Sequence, residues 1–307
     1  MNSYIAVVGG ANIDIGGRSL APLRSGDSNP GIIRSVLGGV GRNIAHNLAL
    51  LGAEVKLVTA LGEDDGARRI EESCAALGID LSAALHVPGA ATGTYLFIDG
   101  PDGDMALAMN DMAVFECLTP DHLNTVLPLL CDAALVVVDA NLPAESIAYL
   151  AQHCTAPLYG DTVSAAKAAR MQPVLGRFHT LKPNRMEAEL LSGISITDEK
   201  SLFAAADALL GTGLRRVFLS LGAGGVLAAE GEERILLKNP PVQLVNATGC
   251  GDAFMAALAF AAQEGSDLAA AARLGLAAAA IAAESAETIN PAMSKTNLLA
   301  RLGRITL

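Results

Sequence analysis

The chain has 307 residues, of which 51% are hydrophobic and 17% charged, and this is enough to bury the core of one large or two ordinary α/β domains. Its 21 basic and 32 acidic side chains give a formal net charge of -11, which repels polyphosphate chains and anionic lipid surfaces. The composition excludes a disordered or disulfide-stapled scaffold and argues against nucleic-acid and membrane partners.

Neither a targeting segment nor a membrane span is recognisable in the sequence. No basic segment precedes the first apolar run, and no uncharged apolar run approaches the roughly 18 residues that a span requires. The 5 cysteines are scattered, without a Cys-x-x-Cys pair or a histidine at metal-ligand spacing. We therefore expect a cytoplasmic protein with reduced cysteines.

Apolar, β-rich runs alternate with windows of helical periodicity along the chain. The predicted strands are residues 5–8, 55–60, 135–139, 158–161, 178–181 and 217–221. The predicted helices are residues 43–51, 65–77, 144–154, 202–210, 253–262 and 268–283. This alternation predicts an α/β fold with a mainly parallel central sheet and helices on both faces. Ligands of such sheets bind outside the carboxyl ends of the strands.

Two segments interrupt this alternation. Residues 13–36 are rich in glycine and proline, and residues 92–116 have the pattern of a β-hairpin around a turn at 99–103. We expect the two segments to form a small β lid outside the main sheet. Because no linker divides the chain, we predict one domain over residues 1–307 with the lid inserted in it.

Polar side chains follow the first predicted strand and precede the first predicted helix. Asp14 could bind a vicinal diol through two charge-assisted hydrogen bonds, although an aspartate that closes a turn fits the same pattern. Residues 38–43, Gly-Gly-Val-Gly-Arg-Asn, would let a substrate touch the main chain, and Asn43 can donate to and accept from a hydroxyl. The segment matches neither a Walker A sequence nor a dinucleotide fingerprint.

Three later strands also end in polar residues. Asp161 ends one strand and Lys167 follows about one helical turn later, which fits an ordinary helix start with a solvated lysine. Residues 182–187, Lys-Pro-Asn-x-x-Glu, and residues 220–225, Ser-Leu-Gly-Ala-Gly-Gly, follow two further strands. Each of these motifs is weak evidence by itself.

Residues 246–252, Asn-Ala-Thr-Gly-Cys-Gly-Asp, lead directly into the apolar helix predicted from residue 253. A glycine turn at a helix N-terminus exposes N–H groups that can bind an anion. Asp252 could then accept a proton from a hydroxyl while these amides hold a transferring phosphoryl group. A plain glycine turn with Asp252 as its N-cap explains the spacing equally well.

Taken together, the order and spacing of these motifs resemble the ribokinase-like carbohydrate kinases, the PfkB family, over almost the whole chain. The resemblance implies a three-layer α/β sandwich with a β lid, a homodimer formed through the lid, and phosphoryl transfer from ATP to a small-molecule hydroxyl. Residues 28–31, 110–112 and 161–164 resemble the members that act on pseudouridine, which implies its 5'-hydroxyl as the acceptor.

The resemblance also implies roles for individual residues. Asp252 would be the general base, with the anion hole formed by Gly249, Cys250 and Gly251. The substrate would be held by Asn12, Asp14, Ser28, Asn29, Gly39, Asn43 and Asn110, with Asn29 and Asn110 reading the base. Magnesium would be held through the ATP phosphates near Asn184 and Glu187. The nucleotide would be bordered by Ser220, Gly222, Gly224, Gly225 and Thr248.

Two residues depart from the family pattern. Asn246 stands where many members have an aspartate that helps to bind a potassium-like ion, so we make no prediction about a monovalent cation. Cys250 stands where alanine is usual in the anion hole. Because a helix N-terminus favours a thiolate, we expect a lowered thiol pKa and sensitivity to oxidation at Cys250.

Three other functions remain open at the level of sequence. A kinase of the same family could act on ribose, fructose or another nucleoside, because the catalytic motif does not encode the acceptor. The chain could also be a non-catalytic sugar or nucleoside sensor, although Asp252 and its flanking glycines argue against this. A nicotinamide-dependent dehydrogenase is disfavoured because the first strand lacks the phosphate-binding fingerprint.

Overall fold

The computed structural model describes residues 4–303 and 305, and we number its strands and helices in chain order. The strands are β1 (Tyr4–Val8), β2 (Asn12–Ser19), β3 (Gly31–Gly38), β4 (Glu54–Val58), β5 (Ala60–Leu61), β6 (Leu85–His86), β7 (Thr94–Asp99), β8 (Met105–Asp111), β9 (Leu135–Asp139), β10 (Leu158–Asp161), β11 (Thr180–Lys182), β12 (Arg216–Ser220), β13 (Val226–Glu230) and β14 (Glu233–Leu237). The helices are α1 (Val40–Leu50), α2 (Asp65–Ala76), α3 (Pro120–Cys131), α4 (Ala144–His153), α5 (Ala165–Ala168), α6 (Arg185–Ser192), α7 (Glu199–Leu210), α8 (Cys250–Gln263), α9 (Leu268–Ala283) and α10 (Lys295–Leu302).

The central sheet has eight strands in the order β14-β13-β12-β11-β10-β9-β1-β4. The strands from β4 to β12 in this order pair in parallel, and β13 and β14 add an antiparallel hairpin at one edge. The central strand β9, Leu-Val-Val-Val-Asp, is buried at every residue because helices cover both faces of the sheet. The predicted α/β architecture is confirmed.

Alternate residues of each strand supply two apolar cores. From β1, Ile5 and Val7 join a core with α1, α8 and α9, whereas Ala6 and Val8 join a second core with α3, α4 and α7. This division follows from the two-residue period of a strand, which sends neighbouring side chains to opposite faces. The carboxyl ends of the parallel strands lie together at one edge of the sandwich.

A separate four-stranded sheet with the order β3-β2-β7-β8 stands beside this edge. Its strands come from the two segments that interrupt the strand-helix alternation, and β2 and β7 pair in parallel while the outer pairs are antiparallel. We call this sheet the lid. Three residues separate the end of β1 from the first lid strand, β2, and Gly39 connects the lid strand β3 to α1. The root of the lid therefore lies at the carboxyl end of the central sheet.

The structure contains elements that the sequence does not predict, among them α3, α6, α10 and the hairpin of β13 and β14, and two segments with an extended pattern differ from the expectation. The predicted strand 55–60 is divided, because β4 ends at Val58 and β5 pairs instead with β6 in a two-stranded sheet. Residues 242–245 form no strand, although their alternation suggests an extended run. The backbone N–H groups of Val245 and Asn246 instead donate to Ala283 O at the end of α9, at 2.8 and 3.2 Å. None of the helices in residues 4–303 is long and apolar enough to cross a membrane.

Candidate active site

The turn before α8 exposes the N-terminus of that helix. Gly249 has a φ of 83°, and a Cβ atom at this position would lie 2.1 Å from Thr288 O, so only glycine fits. A Cβ on Gly251 would meet only Lys182 Nζ, at 3.4 Å, which leaves the first-turn amides open to a ligand. Gly249 is the N-cap and Asp252 is the third residue of α8, so the reading of Asp252 as a capping residue is wrong.

The carboxylate of Asp252 is held by α1 from across the site. Asn43 Nδ2 donates to Asp252 Oδ2 at 2.8 Å, joining residues that are 209 positions apart in the chain. Burial, and then the negative charge of Asp161, raise the pKa of Asp252 to about 7, against the lowering effects of Asn43 and Lys182. A carboxylate with a pKa near neutrality is suited to take a proton from a hydroxyl.

Three neighbouring strands end in charged residues beside Asp252. Asp139, Asp161 and Lys182 end β9, β10 and β11, and all three are buried. Asp139 accepts hydrogen bonds from Gly10 N at 2.9 Å and Asn141 N at 2.8 Å, and burial raises its pKa. Burial works to lower the pKa of Lys182, but the charges of Asp161, Glu187 and Asp252 outweigh it and raise that pKa.

From the sequence alone, neither Lys182 nor Asp139 is predicted to have a role of its own. The sequence feature that could have indicated them is a charged residue at the end of an otherwise apolar strand. Lys167, which the sequence suggested to be solvated, is half-buried, and its Nζ donates to Asn141 Oδ1 at 2.5 Å. The solvated reading of Lys167 is therefore wrong.

Asn12 and Asp14 lie at the root of the lid, where β2 begins. Asn12 Nδ2 donates to Asp14 Oδ1 at 2.6 Å, and burial raises the pKa of Asp14 despite this bond. The Asp14 carboxylate stands over Gly38, because a Cβ there would lie 2.2 Å from Asp14 Oδ2. The pair can therefore offer an amide and a carboxylate to neighbouring hydroxyls.

The glycines of residues 38–41 have a packing reason that the sequence did not show. Gly39 has a φ of 95°, and a Cβ on it would lie 2.4 Å from Gly10 O. A Cβ on Gly41 would lie 2.8 Å from Gly9 Cα. The start of α1 packs directly on the backbone that follows β1, and this contact places Asn43 against Asp252.

Three of the residues predicted to hold the substrate, Ser28, Asn29 and Asn110, lie farther along the lid segments, and of these Asn110 shares a face of the sheet with Asp14. In the strand register Asp14 lies opposite Tyr95, and Tyr95 lies opposite Asn110, so the three side chains share one face of the sheet. Ser28 and Asn29 lie in the exposed loop before β3. The Asn29 amide bonds within that loop, accepting from Arg24 N at 2.8 Å and donating to Arg24 O and Asp27 O, both at 3.0 Å.

Asn184 and Glu187 form a capping box at the start of α6. Asn184 Oδ1 accepts from Glu187 N at 3.0 Å, and Glu187 Oε2 accepts from Asn184 N at 2.8 Å and from Thr162 Oγ1 at 2.5 Å. Within the part of the chain that the structure describes, no group of three His, Cys, Asp or Glu side chains could hold a metal ion. Asn184 and Glu187 therefore belong to no metal-binding cage built from these side chains alone.

The residues predicted to border the nucleotide surround the same end of the sheet. Ser220 N donates to Pro183 O at 2.9 Å, which places Ser220 beside Asn184. Gly222, Gly224 and Gly225 form a tight turn after β12, and a Cβ on Gly225 would lie 1.9 Å from Leu237 O. Thr248 precedes the anion-hole glycines, and its N–H donates to Asn246 Oδ1 at 3.0 Å.

The structure shows the surroundings of Asn246 and Cys250, the two residues that depart from the family pattern. Asn246 Nδ2 donates to Ala286 O at 3.3 Å, so a neutral amide joins the turn before α8 to the segment after α9. The expected low pKa at Cys250 is wrong. Burial, and then the charge of Asp252, raise the pKa of this thiol and outweigh the helix N-terminus.

Known proteins share the sequence pattern and the fold of this chain. Residues 2–296 match the pfkB family carbohydrate kinase model. The chain is 35% identical to pseudouridine kinase of Escherichia coli over 298 residues, covering 96% of this chain and 95% of that protein. It is 38% identical to the uncharacterized sugar kinase YeiI of Escherichia coli over 300 residues, covering 96% and 82%.

A solved structure shows the same fold. Ribokinase from Thermotoga maritima superimposes with a TM-score of 0.88 at 26% identity, covering 98% of this chain and 99% of that one. The chain belongs to the pfkB family of carbohydrate kinases, and it is a phosphotransferase whose acceptor is a hydroxyl group of a sugar or nucleoside.

Proposed function

We propose that this protein transfers the γ-phosphoryl group of ATP to the 5'-hydroxyl of pseudouridine, giving pseudouridine 5'-phosphate. The observation that carries the catalytic part is the geometry at Asp252. Its carboxylate is held by Asn43 at 2.8 Å, its pKa is raised to about 7, and it lies one residue from the open amide of Gly251. A base and an anion-binding turn are thereby placed side by side.

In the proposed reaction the oxygen of the acceptor hydroxyl attacks the γ-phosphorus, and Asp252 accepts the proton of that hydroxyl. The amides of Gly249, Cys250 and Gly251 hold the charge on the transferring phosphoryl group, and the bond to the ADP oxygen breaks. Asn184 and Glu187 would lie beside a magnesium ion held by the ATP phosphates, and such an ion would supply positive charge to these phosphates. This chemistry depends on alignment and charge stabilisation more than on covalent participation by the protein.

The proposed acceptor rests on similarity and on the lid. The pseudouridine kinase of Escherichia coli is 35% identical over nearly the whole chain. With the ribose hydroxyls on Asn12 and Asp14, the base would extend along the row formed by Tyr95 and Asn110, about two strand spacings or roughly 10 Å away. An amide there can match both donors and acceptors on a uracil ring.

Pseudouridine differs from uridine by a carbon-carbon glycosidic bond that frees an additional ring N–H. A site that accepts a hydrogen bond from this N–H leaves its acceptor unpaired when uridine binds. Such a mismatch costs about 1–3 kcal/mol, or roughly 5-fold to 150-fold in kcat/KM. Free ribose makes none of the contacts of the base and should be poorer still.

The test measures ADP release with pseudouridine, uridine, other nucleosides, ribose and fructose at the same concentrations of magnesium and ATP. We expect the highest kcat/KM with pseudouridine and a product whose phosphorus resonance couples to the 5' protons. A higher kcat/KM for uridine or a free sugar would reject the proposed acceptor and leave the kinase assignment intact. Absence of turnover with every acceptor would favour the sensor alternative.

A further inference from the structure

We infer that Lys182 is a further catalytic residue of the phosphoryl transfer, and that Asp161 is the positioning residue that aims it. Lys182 would bind the transferring phosphoryl group beside the anion hole. The inference deepens the proposed function, since it rests on residues 249–252 as the site of transfer. It does not depend on which acceptor the enzyme prefers.

The position of the ammonium group is the first observation. Lys182 Nζ lies 3.4 Å from the point where a Cβ on Gly251 would stand, so the cation sits directly over the first turn of α8. That turn carries the amides assigned to the anion hole. A charge placed there acts on the same oxygens as the amides, and the Lys182 side chain is itself buried, at 7% exposure, so that its charge is little screened by water.

The charges around Lys182 are the second observation. Its ammonium group faces Asp161 at the end of β10, Glu187 on α6 and Asp252 on α8, while Asp139 on β9 lies next to Asp161 and Asp252. Four carboxylates and the ammonium groups of Lys182 and of Lys167, which interacts with Asp139, form a pocket with an excess of negative charge. A transferring phosphoryl group with its own negative charge needs a compensating cation in such a pocket, and Lys182 is the one in contact with the turn.

The attachment of Lys182 is the third observation. Lys182 Nζ forms an ion pair with Asp161 Oδ2 at 3.3 Å, and this oxygen accepts no hydrogen bond within the described residues. Asp161 Oδ1 accepts from Val163 N at 2.9 Å. An ammonium group has three donors, so a contact with Asp161 leaves donors for phosphoryl oxygens.

The backbone around Asp161 is strained in a way that fits a positioning role. Val163 is the one non-glycine residue with positive φ, 62°, in the described chain, and a β-branched side chain disfavours this conformation. The turn lets Val163 N reach Asp161 Oδ1 and directs Thr162 Oγ1 to Glu187 Oε2. The strained turn thereby fixes the partner of Lys182 on one side and the capping box on the other.

The test separates catalysis from packing with single and double variants. Lys182→Met leaves Asp161 buried without its partner and is expected to lower thermal stability. The double variant Asp161→Asn/Lys182→Met removes both charges and should fold. We expect the double variant to bind acceptor and ADP within a few-fold of wild type and to turn over at least about 100-fold more slowly, the usual loss for one oxyanion donor.

A binding measurement gives a readout other than turnover. With magnesium and acceptor present, aluminium fluoride should tighten ADP binding to wild type, because it mimics the phosphoryl group in flight, and this tightening should be lost in the double variant. Lys56→Met is the matched control, since Lys56 also pairs with an aspartate, Asp80, at 3.0 Å but on the outer strand β4. It should behave as wild type.

The inference is overturned if the double variant turns over within a few-fold of wild type, or if aluminium fluoride still tightens its binding of ADP. Either result would make the pair structural. If wild type prefers another acceptor, the proposed function fails at its acceptor, and the same comparison is made with the preferred one. If wild type shows no turnover, the loss or retention of the aluminium fluoride effect still decides the role of Lys182.

Discussion

At the scale of single residues, the local environment gives neighbouring carboxylates different tasks. Asp139 is buried and bonded to two backbone amides, so it holds the loops after β1 and β9. Asp161 faces Lys182, and Asp14 lies at the lid. Asp252 is the carboxylate that combines a raised pKa, a single orienting amide and an adjacent anion-binding turn. On these properties we propose proton transfer for Asp252, substrate binding for Asp14, and a supporting role for Asp139 and Asp161.

We predict that Asp252→Asn lowers kcat by about 100-fold or more, because the usual contribution of a general base is of this size. Asn43 can donate to the new amide oxygen as it does to the carboxylate, so the affinity for acceptor should change little. Steady-state kinetics and calorimetric titration with the nucleoside measure the two effects. Asp65→Asn is a control, since Asp65 is also acidic and in the first turn of a helix, α2. Turnover of Asp252→Asn within a few-fold of wild type would show that Asp252 is not the base.

A second prediction concerns stability and pH. The pKa of Asp252 is about 7 in the folded protein and about 3.9 in an unfolded chain. Protonation therefore favours the fold, and this contribution is complete below about pH 4 and is lost as pH rises through 7. Asp252→Asn does not titrate, so its stability relative to wild type should increase between pH 4 and pH 8, by an amount on the order of 1–4 kcal/mol.

Thermal unfolding of both proteins across this pH range measures the difference. The difference between variant and wild type cancels the contributions of titrating groups that do not interact with Asp252. A difference that is the same at pH 4 and pH 8 would contradict the raised pKa. The result would then also weaken the case for Asp252 as a base that works near neutrality.

At the scale of elements, the lid is joined to the sandwich at its root and is exposed elsewhere. Six of the eight residues of β3 and all seven of β8 are exposed, so these outer strands have little packing to hold them. The root differs, because Asn12 is buried and Gly39 packs on Gly10. A sheet held firmly at one end and weakly at the other is suited to move over a bound substrate.

We predict that nucleoside binding slows amide hydrogen exchange in residues 13–36 and 92–116. Contacts from Asp14 and Asn110 to the substrate would link the lid to the sandwich and reduce its opening. Exchange followed by mass spectrometry, with and without pseudouridine, measures the change. The amides of β9 serve as the internal control because they are buried in both states. Equal exchange in the lid segments under both conditions would rule out a moving lid.

At the scale of the whole molecule, the lid carries an uncovered apolar face. Ile33, Leu96, Leu107 and Met109 are 76%, 38%, 56% and 68% exposed. Leu96 lies opposite Ile15 and Met109 in the strand register, and so these side chains share the face that Asp14 does not occupy. Contiguous exposed apolar residues on a sheet are typical of an interface between protein chains.

We predict a homodimer formed by this face of two lids. Leu107→Asp combined with Met109→Asp places four charges in the symmetric interface and should give a monomer, as measured by light scattering after size-exclusion chromatography. Leu299→Asp on α10 is the control, because Leu299 is similarly exposed, at 49%, but lies outside the lid. A monomeric wild type, or a double variant that stays dimeric, would contradict this interface.

The local sequence pattern is sufficient to predict the layer architecture and the turn that carries the proposed base. Continuous apolar strands that alternate with amphipathic helices can be buried only in a parallel sheet covered on both faces, and this pattern is local. The same is true of the turn before α8, because a glycine in the left-handed region followed by a helix start is a property of a few consecutive residues. Strand boundaries were less certain, as the division at Val58 shows.

The assembly of the candidate site depends on contacts between residues of different strands and helices, which become visible only in the tertiary structure. The pairing of Lys182 with Asp161 arises because neighbouring parallel strands place their carboxyl ends side by side, although the two residues are far apart in sequence. The pKa values of Asp252 and Cys250 depend on burial and on charges from other strands, which no local pattern contains. Asn29 differs from these residues, because its amide bonds to Arg24 and Asp27 within its own loop.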